Sequence, residues 1–249
     1  MHELDPEAPG ESSSGPGWPA AALLLLLAAC APAPRAPPIA PPVVPAAAGG
    51  ARPEGPAAGA TRYRVDPARS EVRVLVYRAG PLARLGHNHV LTSHALEGRV
   101  LLAGTDGCGR GEFRLALPAA SLRVDEPAAR AEEGGEFAGD AGDVAGTTAH
   151  LLGSAVLDAT RYPTIGITGS AERGPDGLLA RLSVSVRGGR TELTVPVACR
   201  LEGGLLTVAG GFGTTHAALG LVPYRIGLGA LAVREDLELR FRILAVPDR

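Results

Sequence analysis

The 249-residue chain contains no lysine and few aromatic residues. All 24 basic side chains are arginines, and Phe, Trp and Tyr together make up 4% of the sequence. Because the formal net charge is −2 and no basic cluster occurs, the sequence does not predict a nucleic-acid-binding surface. It also lacks a Gly-x-Ser-x-Gly motif, a P-loop, a dinucleotide fingerprint and a Cys-x-x-Cys pair. The usual signatures of serine hydrolases, nucleotide-dependent enzymes and dithiol redox enzymes are therefore missing.

The N-terminal segment resembles a bacterial lipoprotein signal. An apolar run at residues 20–29 ends at Cys30, and the residues before it carry acidic side chains where a positive charge is usual. Such a run forms about 15 Å of helix, which is too short for a membrane span but typical of a signal peptide. Because small residues precede Cys30, as in a lipobox, we predict a signal peptide at residues 1–30 and lipidation of Cys30. The alternative is a disordered tail that holds an apolar patch by chance.

Residues 31–61 are rich in proline and alanine and have no apolar pattern that could bury a core. They predict a disordered, polyproline-type linker that tethers a domain at residues 62–249 to a membrane. The chain is therefore expected in the cell envelope or on the periplasmic face, as an exported lipoprotein. In an exported chain the two remaining cysteines, Cys108 and Cys199, are compatible with a disulfide, and two free thiols are the alternative.

Period-two alternation dominates residues 62–249. In the clearest segment, residues 237–243, apolar residues alternate with charged ones, as in a half-buried antiparallel strand. About eight or nine such segments, separated by glycine-rich turns, predict an all-β barrel or sandwich with short helices at 125–133 and 143–152. Pro196 inside one segment indicates an edge, a bulge or a barrel rim. The apolar face comprises Val72, Val74, Val76, Phe113, Leu115, Leu117, Ile165, Ile167, Leu182, Val184, Val186, Leu193, Val195, Leu237, Leu239, Phe241 and Ile243.

The scarcity of aromatic residues bears on what a barrel interior would contain. An eight-stranded barrel is just wide enough for its own side chains or for one small ligand. Because valine, alanine and glycine prevail over aromatic residues, we expect the apolar face to surround an open lumen that suits a long aliphatic ligand. A wholly filled barrel that serves as a structural or protein-interaction module is the alternative.

Several loose motifs follow one another in the order known from one protein family. They are 63–72 (YRVDPARSEV), 157–165 (LDATRYPTI), 182–197 (LSVSVRGGRTELTVPV), 219–221 (LGL) and 232–236 (AVRED). By these motifs the chain resembles the YceI-like lipid- or polyisoprenoid-binding proteins over residues 62–246. The resemblance implies an antiparallel, lipocalin-like barrel with an apolar lumen. It also implies an exported protein that holds an isoprenoid quinone or a polyprenyl chain.

The segment Gly86-His87-Asn88-His89 is the polar cluster with the potential for chemistry. Two histidines at i and i+2 of a strand share a face, which suits a metal ion if His94, His150, His216 or an acidic residue adds a further ligand. As a polar mouth of the barrel, His87, Asn88 and His89 would instead hydrogen-bond the head group of the ligand. A third interpretation is a loop whose side chains cap backbone groups.

These observations predict a membrane-tethered binding protein, not an enzyme, that sequesters a lipophilic isoprenoid-type molecule in its lumen. We expect no metal, no nucleic-acid partner and no cofactor apart from a bound isoprenoid or quinone. The adjacent acids at residues 125–126 and 132–133 are expected on solvated faces. A periplasmic metal- or redox-active enzyme that uses His87 and His89 is the alternative function, beside the filled barrel.

Overall fold

The computed structural model of the chain describes residues 59–104 and 107–248. The predicted signal peptide, Cys30 and nearly all of the predicted linker lie outside these residues. The described strands are β1 (Thr61–Val65), β2 (Glu71–Ala79), β3 (His89–Ser93), β4 (Glu97–Ala103), β5 (Arg110–Pro118), β6 (Arg123–Val124), β7 (Thr164–Gly174), β8 (Gly177–Val186), β9 (Gly189–Glu202), β10 (Leu205–Thr215), β11 (Arg225–Ile226) and β12 (Leu231–Pro247). The described α-helices are α1 (Pro127–Glu133) and α2 (Val144–Leu152).

Eight strands form a closed antiparallel ring in the order β1-β4-β5-β7-β8-β9-β10-β12, which the pairing of β12 with β1 completes. The long β12 also pairs with β2, next to β1 along the same edge, and β3 and β6 continue the sheet from β2. Counted from β12, β1 and β2 are therefore both the first strand of the sheet, β4 and β3 both the second, and β5 and β6 both the third. The predicted antiparallel barrel of about eight strands is confirmed.

The alternation in the sequence determines which face of each strand lies inside the ring. In β12, Leu237 is buried in the barrel, whereas its neighbour Glu238 pairs with Arg240 on the outer face. Successive residues of a strand point to opposite faces. A strand in which apolar and charged residues alternate therefore places its apolar face inside the ring and its charged face outside. Residues 95–103, 164–171 and 205–213, where the alternation is weaker, also form strands, namely β4, β7 and β10.

Two glycines inside strands make room for the phenylalanine rings of neighbouring strands. A Cβ atom at Gly210 of β10 would lie 2.7 Å from the ring of Phe241 on β12. A Cβ atom at Gly169 of β7 would lie 2.9 Å from the ring of Phe113 on β5. A Cβ atom essentially never approaches another heavy atom this closely, so both positions depend on the missing side chain.

The ring has one seam at which neighbouring strands are paired along only part of their length. β9 pairs with β8 through residues 189–197, but it pairs with β10 only through residues 197–202. Pro196 lies where the β9–β10 pairing ends, in agreement with the prediction of a local edge, since proline cannot donate a ladder hydrogen bond. Beyond that point Thr191 Oγ1 donates a hydrogen bond of 2.6 Å to the carbonyl oxygen of Ala218, in the turn after β10.

Both short helices predicted from the sequence are present, and α2 covers one end of the barrel. Asp143 begins α2, because its carboxylate accepts a hydrogen bond of 2.8 Å from the Gly146 amide. In the described part of the chain, neither helix has the length and apolar character needed to cross a bilayer.

Candidate functional site

The barrel encloses a cavity of about 610 Å³ whose wall is built mainly from aliphatic side chains. Sixteen residues of the predicted apolar face line this cavity. They are Val72, Val74, Val76, Phe113, Leu115, Leu117, Ile165, Ile167, Leu182, Val184, Val186, Leu193, Leu237, Leu239, Phe241 and Ile243. Because this volume lies inside the ring, the interior is not wholly filled by side chains. The alternative of a filled barrel does not fit the structure.

Val195 is the one residue of the predicted lumen that does not line the cavity. It lies on β9 between Leu193 and Val197, which both line the cavity. Its side chain is 1% exposed and lies in register with Ala180 of β8. Val195 is therefore packed within the wall, and its assignment as a ligand contact was wrong.

The contribution of β10 and of the loops to the cavity wall did not follow from the sequence pattern. Val208 and Phe212 of β10 line the cavity with Gly210 between them on the same face. The period-two signal was present in β10, but glycine at alternating positions weakened it. Tyr224 and Leu221, from the segment between β10 and β12, also line the cavity and belong to no alternating segment.

One end of the cavity is closed by a disulfide and a small apolar cluster. Cys108, in the loop between β4 and β5, is bonded to Cys199 of β9, with their Cα atoms 5.8 Å apart. Both residues line the cavity. Around them pack the buried side chains of Tyr63, Leu102, Leu178, Leu206 and Ala245. The cross-link therefore attaches the β4–β5 loop to the opposite wall.

Removal of this cross-link should weaken the barrel measurably. We expect the double variant Cys108→Ser, Cys199→Ser to lose about 2–4 kcal/mol of unfolding free energy, because the disulfide closes a long loop in the unfolded chain. Urea denaturation followed by circular dichroism measures the change. Reduction of the unsubstituted protein with dithiothreitol serves as the control and should lower the urea midpoint in the same way. Equal midpoints for the oxidised and reduced proteins would contradict the expectation.

The polar side chains at the other end of the cavity form its mouth. They include Arg78, His87, His89, Asp143, Thr147, His150, His216 and Tyr224. The rings of His150 on α2 and Tyr224 stack with a centroid separation of 4.6 Å. His87 lies against Gly142, where a Cβ atom would approach the imidazole to 2.6 Å. An apolar tube that ends in a polar mouth suits a ligand with a long apolar part and a polar head.

His89 is held by a buried charged pair behind the cavity wall. Its Nδ1 lies 2.6 Å from Oδ2 of Asp125, whose side chain is completely buried. Asp125 also accepts hydrogen bonds from the Val90 amide at 2.9 Å and from Arg130 at 2.8 Å. Arg130 in turn donates to the Asn88 carbonyl oxygen at 2.9 Å. This network fixes the orientation of the His89 ring.

The same contacts determine the charge of Asp125. Burial by itself raises the pKa of this carboxyl group, but hydrogen bonds from His89, the Val90 amide and Arg130 outweigh it. The pKa of Asp125 is therefore lower than its ordinary value. Asp125 remains ionised, so it accepts a hydrogen from Nδ1 of His89. Since His89 lines the cavity, its Nε2 is left to face a ligand.

Of the two acidic pairs, Glu132 lies on a solvated face as expected, with 65% of its side chain exposed, but Asp125 and Glu133 do not. Asp125 belongs to the buried network, and its neighbour Glu126 accepts a hydrogen bond from Thr92. The carboxylate of Glu133 is only 7% exposed and bridges Arg73 and Arg240, both at 2.7 Å. These ion pairs attach α1 to the outer face of β2 and β12. The expectation was wrong for Asp125 and Glu133, because the positively charged residues that pair with them are mostly distant in the sequence.

Asn88 has a structural role rather than a place in the polar mouth. It is 4% exposed and does not line the cavity. Its Oδ1 accepts a hydrogen bond of 2.9 Å from the Arg78 amide, and its Nδ2 donates to the Glu136 carbonyl oxygen at 3.2 Å. For Asn88 the interpretation as a backbone cap is correct, and the head-group interpretation is wrong.

The histidines are not arranged as the metal-site hypothesis requires. Strand β3 begins at His89, so His87 lies in the preceding loop and the two do not share a strand face. His94 Nδ1 is bound to the Ser70 carbonyl oxygen at 2.8 Å, and His216 Nδ1 to that of Glu235 at 3.1 Å. Among the described residues, no three His, Cys, Asp or Glu side chains are grouped so that they could hold a metal ion.

Comparisons with known proteins identify the fold. No family model and no curated protein matches the sequence. BcnA of Burkholderia cenocepacia is similar in structure, with a TM-score of 0.52 and 18% identity over 73% of this chain and 99% of BcnA. The YceI protein of Campylobacter jejuni matches with a TM-score of 0.38 and 9% identity over 55% of this chain and 72% of that protein. The similarity to BcnA, together with the closed ring of eight strands, confirms the lipocalin-like barrel fold that the sequence resemblance implied.

Proposed function

We propose that this protein is a binding protein rather than an enzyme, and that it sequesters an elongated apolar molecule inside its barrel. The observation that carries the proposal is the cavity of about 610 Å³ with its aliphatic wall. This volume is within the range of cavities that hold small ligands, roughly 300–1,000 Å³. Each methylene group that a ligand buries there contributes about 0.8 kcal/mol, so a chain of a few isoprene units binds without any catalytic residue.

The ligand class we favour is an isoprenoid quinone or a polyprenyl chain. The sequence motifs of YceI-like proteins support it, as does the shape of the site, which is apolar along the ring and polar at one end. At the polar end, Nδ1 of His89 is engaged by Asp125. Neutral His89 therefore offers Nε2 as an acceptor for a hydroxyl group, and protonated His89 offers it as a donor to a carbonyl or phosphate oxygen.

Recovery of the natural ligand tests this proposal. Protein purified from its own cell envelope would be examined by native mass spectrometry and then extracted with organic solvent. We expect a mass increment that disappears on extraction and a quinone or polyprenol in the extract. His89→Phe is a matched variant, because it keeps a ring in the wall but removes the polar contact, and it should retain less ligand. A protein that is empty on purification and stays empty when menaquinone-4 is added would refute the proposal.

The proposed location is the cell envelope, where a lipid anchor at Cys30 tethers the barrel. The apolar run at residues 20–29, the small residues before Cys30 and the proline-rich segment after it support this proposal. The variant Cys30→Ser should lose the acyl chains and be released from the membrane fraction. Ala29→Gly, which keeps a small residue before the cysteine, is the control and should remain in that fraction. Full retention of Cys30→Ser after a carbonate wash would show that Cys30 is not the anchor.

A further inference from the structure

Two neighbouring loops beside the cavity mouth expose large apolar side chains to solvent. Leu82 and Leu85 lie in the loop between β2 and β3, and Leu85 is 61% exposed. Ile226 and Leu228 lie in β11 and the turn after it, 51% and 111% exposed. The Leu82 amide donates a hydrogen bond of 2.9 Å to the Ala230 carbonyl oxygen, so the two loops are joined. We call these four side chains, together with Arg84 and Arg225, the rim surface.

The backbone of Leu228 shows that its exposure is not incidental. Its φ is 57° and its ψ 26°, a left-handed conformation that favours glycine or asparagine over leucine. Gly227 and Gly229 flank it, so the turn holds up a single large side chain at its tip. A leucine that is strained and wholly exposed stabilises neither the turn nor the core. Its apolar side chain is therefore best explained by contact with something outside the barrel.

The charge of the rim surface indicates what that contact is. Its charged residues, Arg84 and Arg225, are both exposed. Residues 80–86 and 222–230 contain no aspartate or glutamate. Exposed leucine and isoleucine next to arginine suit the interface of an anionic bilayer, where the apolar groups enter the acyl region and the cations face phosphate groups. A protein partner with an apolar pocket would not need cations on both loops.

The rim surface is also continuous with the cavity. Ile226 itself lines the cavity, as do Gly86 and Leu231 at the ends of the two loops. The exposed carboxylates of Glu235 and Asp236, on β12 at this end of the barrel, lie outside the two loops and are engaged by the Ala217 amide and by Arg234. We propose that the rim surface docks onto an anionic lipid bilayer, so that an apolar ligand passes between membrane and barrel without crossing water. The inference deepens the proposed function, but docking itself does not depend on the identity of the ligand.

Fluorescence quenching by brominated lipids tests the docking. The full-length chain would carry Cys30→Ser, so that no acyl anchor forms, and Trp18→Phe, which removes the single native tryptophan. Leu228→Trp then places the probe on the rim surface. Leu201→Trp is the matched control, since Leu201 is also exposed, at 39%, but lies at the opposite end of the barrel. The vesicles contain phosphatidylglycerol and dibrominated phosphatidylcholine.

We expect the emission of Leu228→Trp to shift to the blue and to be quenched on these vesicles, while that of Leu201→Trp stays unchanged. Adding Arg84→Gln and Arg225→Gln to Leu228→Trp should lower the partition coefficient about fivefold for each arginine. Equal quenching at both tryptophans, or none at Leu228→Trp, would overturn the docking surface. Quenching that is unaffected by the arginine substitutions would overturn the choice of an anionic membrane. If the protein docks onto the vesicles but binds no quinone, the proposed ligand is wrong and the proposal of a docking surface stands.

Discussion

Replacement of Asp125 by alanine should lower the free energy of unfolding by about 3–5 kcal/mol, because it leaves Arg130 as a buried charge without its partner. The guanidinium of Arg130 is 8% exposed, and its Nε is already without a hydrogen-bond partner in the described part of the chain. Urea denaturation at neutral pH measures the loss. Glu112→Ala, which removes an exposed carboxylate from β5, should change the unfolding free energy by no more than about 0.5 kcal/mol.

Asp125→Asn separates the charge of this residue from its backbone role. Asp125 has a φ of 54°, a conformation that asparagine tolerates and alanine does not. Asparagine should therefore recover part of the stability lost in Asp125→Ala, but not the contribution of the ion pair. If Asp125→Asn were as stable as the unsubstituted protein at pH 7, the charge of Asp125 would contribute nothing to the free energy of unfolding.

The contribution of Asp125 should also vary with pH in one direction. Its folded-state pKa is lower than its unfolded-state value, so the ionised carboxylate stabilises the fold at every pH above about 3.9. This stabilisation is lost as the pH falls further, through the folded-state pKa. The stability difference between the unsubstituted protein and Asp125→Asn should therefore be constant near neutrality and shrink in acid. A difference that grows as the pH falls would contradict the assignment.

Blocking the lumen should abolish ligand binding without unfolding the barrel. In Val184→Trp the larger side chain occupies cavity volume, because Val184 lines the cavity in the middle of β8. If the ring displaces about four methylene groups of a bound chain, the loss is roughly 3 kcal/mol, or about a hundredfold in affinity. Native mass spectrometry with added menaquinone-4 measures the occupancy of the protein.

Ser185→Trp is the matched control for the blocked lumen. Ser185 follows Val184 on the same strand but points outward and is exposed. Its substitution should leave ligand occupancy unchanged, and both variants should keep the circular dichroism spectrum of a β-barrel. Equal occupancy in Val184→Trp and the unsubstituted protein would mean that the ligand is not bound in the lumen.

The fold was largely predictable because the strand signal is local. Within residues 237–243 of β12 each apolar residue has a charged neighbour, so the inward face follows from four or five consecutive letters. In β10 the same period is present, but Gly210 carries no side chain that would show which face is buried. The residues of β12 therefore predicted its face, whereas Phe212 of β10 was identified as a wall residue only from the structure.

The candidate site was harder to predict, because its polar part depends on contacts between distant residues. Asp125 is separated from His89 by 36 positions and comes beside it only through the pairing of β3 with β6. In the sequence, Asp125 and Glu126 are indistinguishable from a solvated acidic pair. Asn88 and His89 are adjacent, yet one caps the backbone and the other lines the cavity. Successive side chains at the start of a strand point to opposite sides, and the sequence did not reveal that β3 begins at His89.

The seam between β9 and β10 has a consequence for how the barrel associates with other chains. Residues 189–196 of β9 have no ladder partner on β10, and an unpaired strand edge is a template for adding a strand from another molecule. Pro196 interrupts this edge, because it offers no amide hydrogen to an incoming strand. The turn at Ala217–Leu219, held by Thr191, obstructs the remainder. The unpaired edge of β9 is thus protected against strand addition from another chain.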